Sequence, residues 1–182
     1  MSRPPRARES VLDAFARILI DDGERAATME ATARAAGVSK GGLLYHFASK
    51  DALVAGLIER METLAVDDVA HLADAPEGRV AAFMRTSMNT GSPLDNAIVA
   101  VSRLAQNGSA PAVAALRRLR ELWEDAVRPD TRDETALQLV MLVSDGLYFN
   151  SALTIGSVPG PEPTPERLDA LIARVREVSQ PE

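Results

Sequence analysis

The stretch that decides the fold of this chain is TMEATARAAGVSKGGLLYHFASK, residues 28–50. It predicts two short helices separated by a tight Gly-Val turn, because Gly37 stands where a chain leaving a helix needs a positive φ. Thr28 and Ser39 are placed to cap the first turns of these helices, and Ser49 is placed to cap a third. Small alanines on the first helix let the second cross it closely and project outward. This is the layout of a helix-turn-helix.

The block AGVSKGGLLYHFASKDAL, residues 36–53, closely resembles the TetR family of bacterial transcriptional regulators. The similarity extends over about residues 8–58, and it is specific because glycines, cap residues, aromatics and the closing Ser-Lys all fall at fixed spacing. Two positions depart from the family pattern. Thr32-Ala33 stands where the family often has Ile-Ala, and Leu43-Leu44 stands where it usually has Leu-Tyr, so that Tyr45 comes one position later.

The outward helix carries side chains that can bond phosphates or base edges, and Gly41 and Gly42 leave part of it bare. Each glycine costs a helix about 1 kcal/mol against alanine, which makes sense where backbone must approach a phosphate or a thymine methyl. The residues predicted to contact DNA, several of them only by resemblance to the family, are Thr28, Ser39, Lys40, Gly41, Gly42, Tyr45, His46 and Lys50. For Thr28 a pure capping role is an equal alternative. Leu43 or Phe47 is expected to pack inward.

Composition excludes several classes of protein. The 182 residues are 46% hydrophobic, enough for one generous core or two small, closely packed units. No apolar run approaches the length of about 18 residues that predicts a membrane span, and the N-terminus has no secretory pattern. With no cysteine, the chain has no disulfide or thiol chemistry. These features predict a cytoplasmic protein that neither enters a membrane nor is secreted.

The net charge of −6 is unevenly divided along the chain. Residues 1–50 carry eight Lys and Arg against six Asp and Glu, whereas residues 51–182 carry twelve against twenty. DNA affinity depends on local phosphate neutralisation, so a basic end on an acidic body is compatible with DNA binding. Arg3, Arg6 and Arg8 form a predicted basic arm, which is either a solvated tail or an additional DNA contact.

Apolar positions recur at helical spacing almost everywhere, which predicts an all-α protein of about nine helices. We expect an N-terminal three-helix helix-turn-helix DNA-binding domain, residues 1–50, with the basic arm. A long helix over residues 50–73 would join it to a C-terminal helical effector-binding and dimerisation bundle, residues 51–182. Within the bundle, Thr131-x-x-Glu134 predicts a capping box that opens a helix over residues 132–155, followed by a stiff loop over 156–165.

The segment 139–143, Leu-Val-Met-Leu-Val, is apolar on all sides, so its helix is expected to be buried on more than one side. A single-chain core could explain this. The alternative adds a partner chain, since this helix and the last one resemble the pair that builds the four-helix dimer interface of the family. The predicted interface residues are Leu139, Leu142, Val143, Gly146, Leu171 and Val175.

Aromatic and methionine side chains of the C-terminal part could line a ligand cavity, although plain core packing is the alternative for each of them. The predicted lining residues are Phe83, Met84, Met88, Trp123, Met141, Tyr148, Phe149 and Asn150. The family resemblance implies a small hydrophobic or amphipathic effector.

Enzyme chemistry is not expected, because the chain has only two histidines and no nucleophile elbow or phosphate loop. Asp67, Asp68 and His71 could hold a metal, but such a cluster on an amphipathic helix is more often a solvated face, and we predict no catalytic residue, metal or cofactor. The sequence predicts a homodimeric one-component transcriptional repressor that binds a palindromic double-stranded operator and is released by an effector. The alternative is a helical ligand carrier or enzyme with no role in DNA binding.

Overall fold

The computed structural model describes residues 4–88, 90–152 and 163–181. These residues form nine α-helices and one short 3-10 turn, with no strand among them, so the all-α prediction is confirmed. The helices are α1 (Pro4–Asp21), α2 (Met29–Ala35), α3 (Lys40–His46), α4 (Lys50–Ala73), α5 (Arg79–Thr86), α6 (Pro93–Gln106), α7 (Ala110–Val127), α8 (Glu134–Ala152) and α9 (Pro165–Ser179), and the 3-10 turn is Arg128–Asp130. None of these helices is both long enough and apolar enough to cross a membrane, as far as the described residues show.

The predicted capping residue of α8, Thr131, is wrong. The capping oxygen is Oδ1 of Asp133, which accepts from the backbone N–H of Ala136 at 2.7 Å. The hydroxyl of Thr131 instead donates to the carbonyl of Arg128 at 2.8 Å and closes the preceding 3-10 turn. Helix α8 therefore begins at Glu134, two residues later than predicted. Most of the predicted stiff loop over 156–165 lies outside the described residues.

The helices cluster into two compact units. One contains the described residues up to Leu64 together with Pro93–Leu119, and the other contains Ala65–Ser92 and the described residues from Arg120 onward. Helices α4 and α7 each contribute residues to both units. The predicted boundary after residue 50 separates two functions, DNA binding from effector binding and dimerisation. It does not describe these packing units, and it stays a prediction.

The first unit is built around α1, which packs against α2, α3 and α6. Its core includes Leu12, Phe15 and Leu19 of α1, all fully buried. Gly56 of α4 allows a close approach, since a Cβ there would lie only 2.6 Å from Cε1 of Phe47. The buried apolar face of α1 therefore holds the helix-turn-helix in place.

The second unit contains a separate core in which α5, α8 and α9 pack against one another. Met84, Met141 and Ile172 are among its buried side chains. The backbone N–H of Arg132 donates to the carbonyl of Ser179 at 2.8 Å, which ties the end of α9 to the start of α8. The two C-terminal helices thus form a paired layer within this unit.

Candidate DNA-binding surface

The helix-turn-helix is shaped by local capping. The hydroxyl of Thr28 accepts from the N–H of Ala31 at 3.1 Å, and that of Ser39 accepts from the N–H of Gly42 at 3.0 Å. Between the two helices Gly37 has a φ of 67°, the conformation that its position in the sequence predicts. Ser49 caps α4 in the same way. The caps and the turn predicted from the sequence are confirmed.

Helix α3 has distinct inner and outer faces. Leu43 and Phe47 are buried, as expected, and both anchor the helix to the core of the first unit. On the outer face Tyr45 is 82% exposed and Leu44 is 42% exposed. The ring of Tyr45 meets that of His46 edge-on, with centroids 5.1 Å apart. The exposed face of α3 thus presents an aromatic hydroxyl, an imidazole and an apolar side chain together.

Lys40, the first residue of α3, lies at the edge of this face. Its Nζ is 2.7 Å from Oε1 of Glu30 on α2, and both side chains are exposed. The hydrogen bond with Lys40 lowers the pKa of Glu30, and the same contact raises the pKa of Lys40. Exposed pairs of this kind add little stability, so phosphate can compete with Glu30 for the ammonium group. Sequence reasoning missed Glu30, because the pair spans ten residues and two helices.

Lys50, which is predicted to contact DNA, is bound within its own chain. Its Nζ donates to the carbonyl oxygen of Glu24 at 2.9 Å and lies 3.7 Å from Oε1 of the same residue. The side chain therefore ties the start of α4 to the segment between α1 and α2. It remains half-buried, so its predicted contact with a phosphate would have to be made alongside this bond.

The predicted basic arm is partly helical. Arg6 and Arg8 belong to α1, while Arg3 lies outside the described residues. The guanidinium of Arg8 pairs with Glu59 of α4 at 2.7 Å and lies 5.4 Å from the ring centroid of Phe47. Arg8 thus joins α1 to α4, and the prediction that it belongs to a free arm is wrong.

The predicted interface residues differ in burial. Three are exposed on α8, namely Leu139, Leu142 and Gly146. Val143 of α8 and Leu171 of α9 are half-buried. Val175 is only 4% exposed, because it packs into the core of its own unit. Its assignment to the interface is therefore corrected to a core position.

The predicted cavity-lining residues also divide by burial. Phe83, Met84 and Met141 are buried, whereas four residues are half-buried: Met88, Trp123, Tyr148 and Asn150. Phe149 is 60% exposed, because its place on α8 is seven residues after the exposed Leu142. Two helical turns separate these positions, so they share one face. Phe149 is therefore corrected from the interior of the bundle to its surface.

Trp123 makes the most informative contacts in the second unit. Its ring is tilted against that of Phe83, with centroids 5.7 Å apart, and its Nε1 donates to Oδ2 of Asp68 at 3.0 Å. Burial raises the pKa of Asp68, while the hydrogen bond from Trp123 and the nearby His71 oppose the rise. Asp68 is a polar group that the predicted lining set missed.

Asp67, Asp68 and His71, the alternative metal ligands considered for the sequence, do not assemble in the structure. Nδ1 of His71 lies 2.6 Å from the carbonyl oxygen of Asp67, and the carboxylate of Asp68 faces Trp123. Within the described ranges, no group of three His, Cys, Asp or Glu side chains could hold a metal ion. Asp67 and His71 are exposed on α4, whereas Asp68 is half-buried against Trp123.

Comparison with known proteins agrees with this geometry. Residues 11–57 match the sequence family described as bacterial regulatory proteins, tetR family. The HTH-type transcriptional regulator BetI of Rhizobium meliloti (strain 1021) is 28% identical over 163 residues, which cover 82% of this chain and 79% of that protein.

Two solved structures have a similar fold. A TetR-family member from Streptomyces coelicolor A3 has a TM-score of 0.63 at 24% identity, covering 97% of this chain and 99% of its own. The multidrug binding protein EbrR complexed with ethidium has a TM-score of 0.59 at 23% identity, covering 95% of this chain and 99% of its own. Residues 11–57 therefore match the helix-turn-helix segment of the tetR family of bacterial regulatory proteins, and the chain shares the fold of these two solved structures.

Proposed function

We propose that the chain acts as a homodimeric one-component repressor, which binds a palindromic operator and leaves it when a small-molecule effector binds. The observation that carries this proposal is the outer face of α3, where Tyr45 is largely exposed while its neighbours Leu43 and Phe47 anchor the helix. In a helix-turn-helix the second helix enters the major groove and reads base edges. We assign DNA binding to residues 1–50, and effector binding and dimerisation to 51–182.

The DNA contacts that we propose start from the first turn of α3. Ser39, Lys40, Gly41 and Gly42 would face the groove, and Tyr45 and His46 would bond phosphates or bases. Thr28 caps α2 but is also exposed, so its hydroxyl remains close enough to the surface to contact a phosphate. Phosphate contacts fix the register of a protein on DNA, whereas base-edge contacts give it sequence preference.

A second copy of this chain is the proposed partner for the exposed face of α8. Leu139, Leu142, Gly146 and Phe149 recur at alternating spacings of three and four residues, the pattern of a helix that packs against another helix. A Cβ on Gly146 would meet nothing within 4 Å, so no contact among the described residues requires a glycine there. A helix of the partner approaching closely would explain it, since glycine otherwise costs a helix about 1 kcal/mol against alanine.

Dimerisation would also complete the DNA site. Two helix-turn-helix units related by a two-fold axis read half-sites that are one helical turn apart, so the operator should be palindromic. Each recognition helix is only seven residues long. A dimer that places two of them on the operator would therefore bind much more tightly than a single protomer.

The effector would bind in the second unit, near the Phe83–Trp123 pair. Adaptable methionine side chains and an aromatic pair suit a small hydrophobic or amphipathic molecule, and Asp68 and the indole N–H of Trp123 supply polar groups that could orient it. The ethidium complex of EbrR is consistent with a ligand site in a protein of this fold.

Release from DNA would follow from a shift in population. An effector that prefers a dimer with wrongly spaced recognition helices must weaken operator affinity by the same factor by which the operator weakens effector binding. Couplings of about 1–3 kcal/mol correspond to roughly 5–150-fold changes in affinity. Helix α4 contributes residues to both units and begins directly after the helix-turn-helix, so we expect it to connect the two events.

The proposal is tested by selecting duplexes from a random library with the purified full-length protein and measuring the mass of the complex. A palindromic consensus, bound by two protomers, is expected. Small molecules are then screened for release of the selected duplex. A selected sequence without two-fold symmetry, or a complex with one protomer, would overturn the dimeric reading. Effector binding without any selected DNA would favour a ligand carrier.

A further inference from the structure

We propose that Leu44 is a specificity-determining residue, which recognises the C5-methyl group of a thymine in each half-site of the operator. This inference rests on the proposed function, because it requires α3 to lie in the major groove. It assigns a role to a residue that was not among the predicted DNA contacts. Leu44 is exposed, the helix turn beside it is bare, and the major groove offers an apolar side chain the methyl group of thymine.

Leu44 is an apolar side chain on the outer face of α3. Leu44 is 42% exposed, whereas Leu43 is fully buried and Phe47 is almost fully buried. A single exposed leucine on a protein surface usually means nothing. Leu44 differs because it lies in the middle of the seven-residue α3, next to the 82% exposed Tyr45.

The turn beside Leu44 carries no side chain at its centre. On a helix, Leu44 is the neighbour of Gly41, three residues earlier, and long side chains point back toward the N-terminus over that turn. A Cβ on Gly41 would meet nothing within 4 Å, and the residue has no positive φ, so the fold itself does not require glycine there. Leu44 can therefore reach past the bare backbone of Gly41 into the groove.

The chemistry of the side chain selects its target. Leucine has no donor or acceptor, so it cannot form hydrogen bonds with the polar edges of guanine, cytosine or adenine. The C5-methyl group of thymine is the apolar feature of the major groove, and apolar side chains recognise it by contact. Lys40 precedes Leu44 on α3 and Tyr45 follows it, so that their polar groups could hold the register through phosphates or bases.

The contact is tested by removing the methyl group from the DNA. In the operator selected by the full-length protein, each symmetric pair of thymines is replaced by deoxyuridine, which lacks only that methyl, and the Kd is measured by fluorescence anisotropy. One buried methyl group contributes about 0.8 kcal/mol, which corresponds to an approximately fourfold loss of affinity per half-site and about 15-fold for both. We expect this loss at one symmetric position for the wild-type protein.

The Leu44→Ala variant tests whether Leu44 is the residue that contacts the thymine methyl group. It should bind the thymine and deoxyuridine forms of that position equally well, because the contact is already gone. The matched control is Tyr45→Ala, which should bind more weakly overall but keep the wild-type ratio between the two forms. Leu44 is exposed and alanine favours helix, so the thermal unfolding of Leu44→Ala should match the wild type.

The outcomes separate the inference from the proposed function. If wild-type protein binds its operator specifically but no thymine position is sensitive, or if Leu44→Ala keeps the wild-type ratio everywhere, the inference is wrong while the proposed function stands. If no operator can be selected at all, the proposed function fails and the inference fails with it.

Discussion

The replacement of Leu142 by alanine should separate the two protomers without unfolding either. The side chain is 66% exposed in the single chain, so about two-thirds of its surface remains to be buried by a partner. Leu→Ala removes three carbons at about 0.8 kcal/mol each, which leaves about 1.6 kcal/mol per protomer after scaling by that fraction. Because the interface of a two-fold dimer contains the residue twice, the loss is about 3 kcal/mol, or about 200-fold in the dimer Kd.

Sedimentation equilibrium over a range of protein concentrations measures that Kd directly. The matched control is Val66→Ala, which trims another exposed apolar side chain, 58% exposed on α4, and should leave the Kd unchanged. Circular dichroism should show the same helix content in both variants. An unchanged dimer Kd in Leu142→Ala, or an equal effect of Val66→Ala, would refute the assignment of the exposed face of α8 to a second copy of this chain.

Three further predictions concern the reading surface and the second unit. Tyr45→Ala should weaken operator binding at least tenfold, measured by anisotropy, with unchanged dimerisation, because the ring is exposed and supports no core; about 1.4 kcal/mol corresponds to that factor. Glu30→Gln should remove the carboxylate that competes with phosphate for Lys40, which raises affinity for non-operator DNA and steepens the dependence of log K on log salt by at most about 0.9. Asp68→Asn should raise the Tm at neutral pH and lose this advantage as the pH falls through the raised pKa of the Asp68 carboxyl group.

The sign of the Asp68 prediction follows from its environment. Burial raises the pKa of its carboxyl group in the folded protein, so ionisation favours the unfolded chain. The wild-type protein should therefore lose stability as pH rises through that pKa, whereas asparagine stays neutral and can still accept from Trp123. Equal dependence of Tm on pH in wild type and variant would contradict this account.

The Glu30 prediction has a matched control in the same unit. Glu62 of α4 is also a glutamate held by a cation, at 2.6 Å from Nη2 of Arg118, but it lies on another helix pair. Glu62→Gln removes the same charge and should leave the salt dependence unchanged. A steeper slope in both variants would attribute the effect to net charge and not to Lys40.

Local signals in the sequence predicted the helix-turn-helix well. Thr28, Ser39 and Ser49 cap the helices that follow them, and Gly37 has the positive φ that its position requires. These features depend on residues three or four positions apart, which a sequence displays directly. The long helix over 50–73 was predicted with its exact bounds for the same reason.

Predictions that depended on which face of a helix is covered were less successful. Val175 was expected at the dimer interface but is buried in the core of its own unit. Phe149 was expected to line an internal cavity but is exposed. Each helical residue is rotated by about 100° from the one before it, so an apolar run on α8 does not reveal which side meets the core. Arg8 was misread because its partner Glu59 is 51 residues away.

Sequence-specific binding by the outer face of α3 is the central claim, and a single anisotropy experiment tests it most directly. Full-length protein is titrated into labelled DNA that flanks its own gene and into scrambled DNA of the same composition, each at two salt concentrations. We predict saturable binding that favours the flanking DNA, with affinity falling linearly in log salt as phosphates are neutralised. Equal binding to both duplexes, repeated with the best sequence from a random library, would contradict the account.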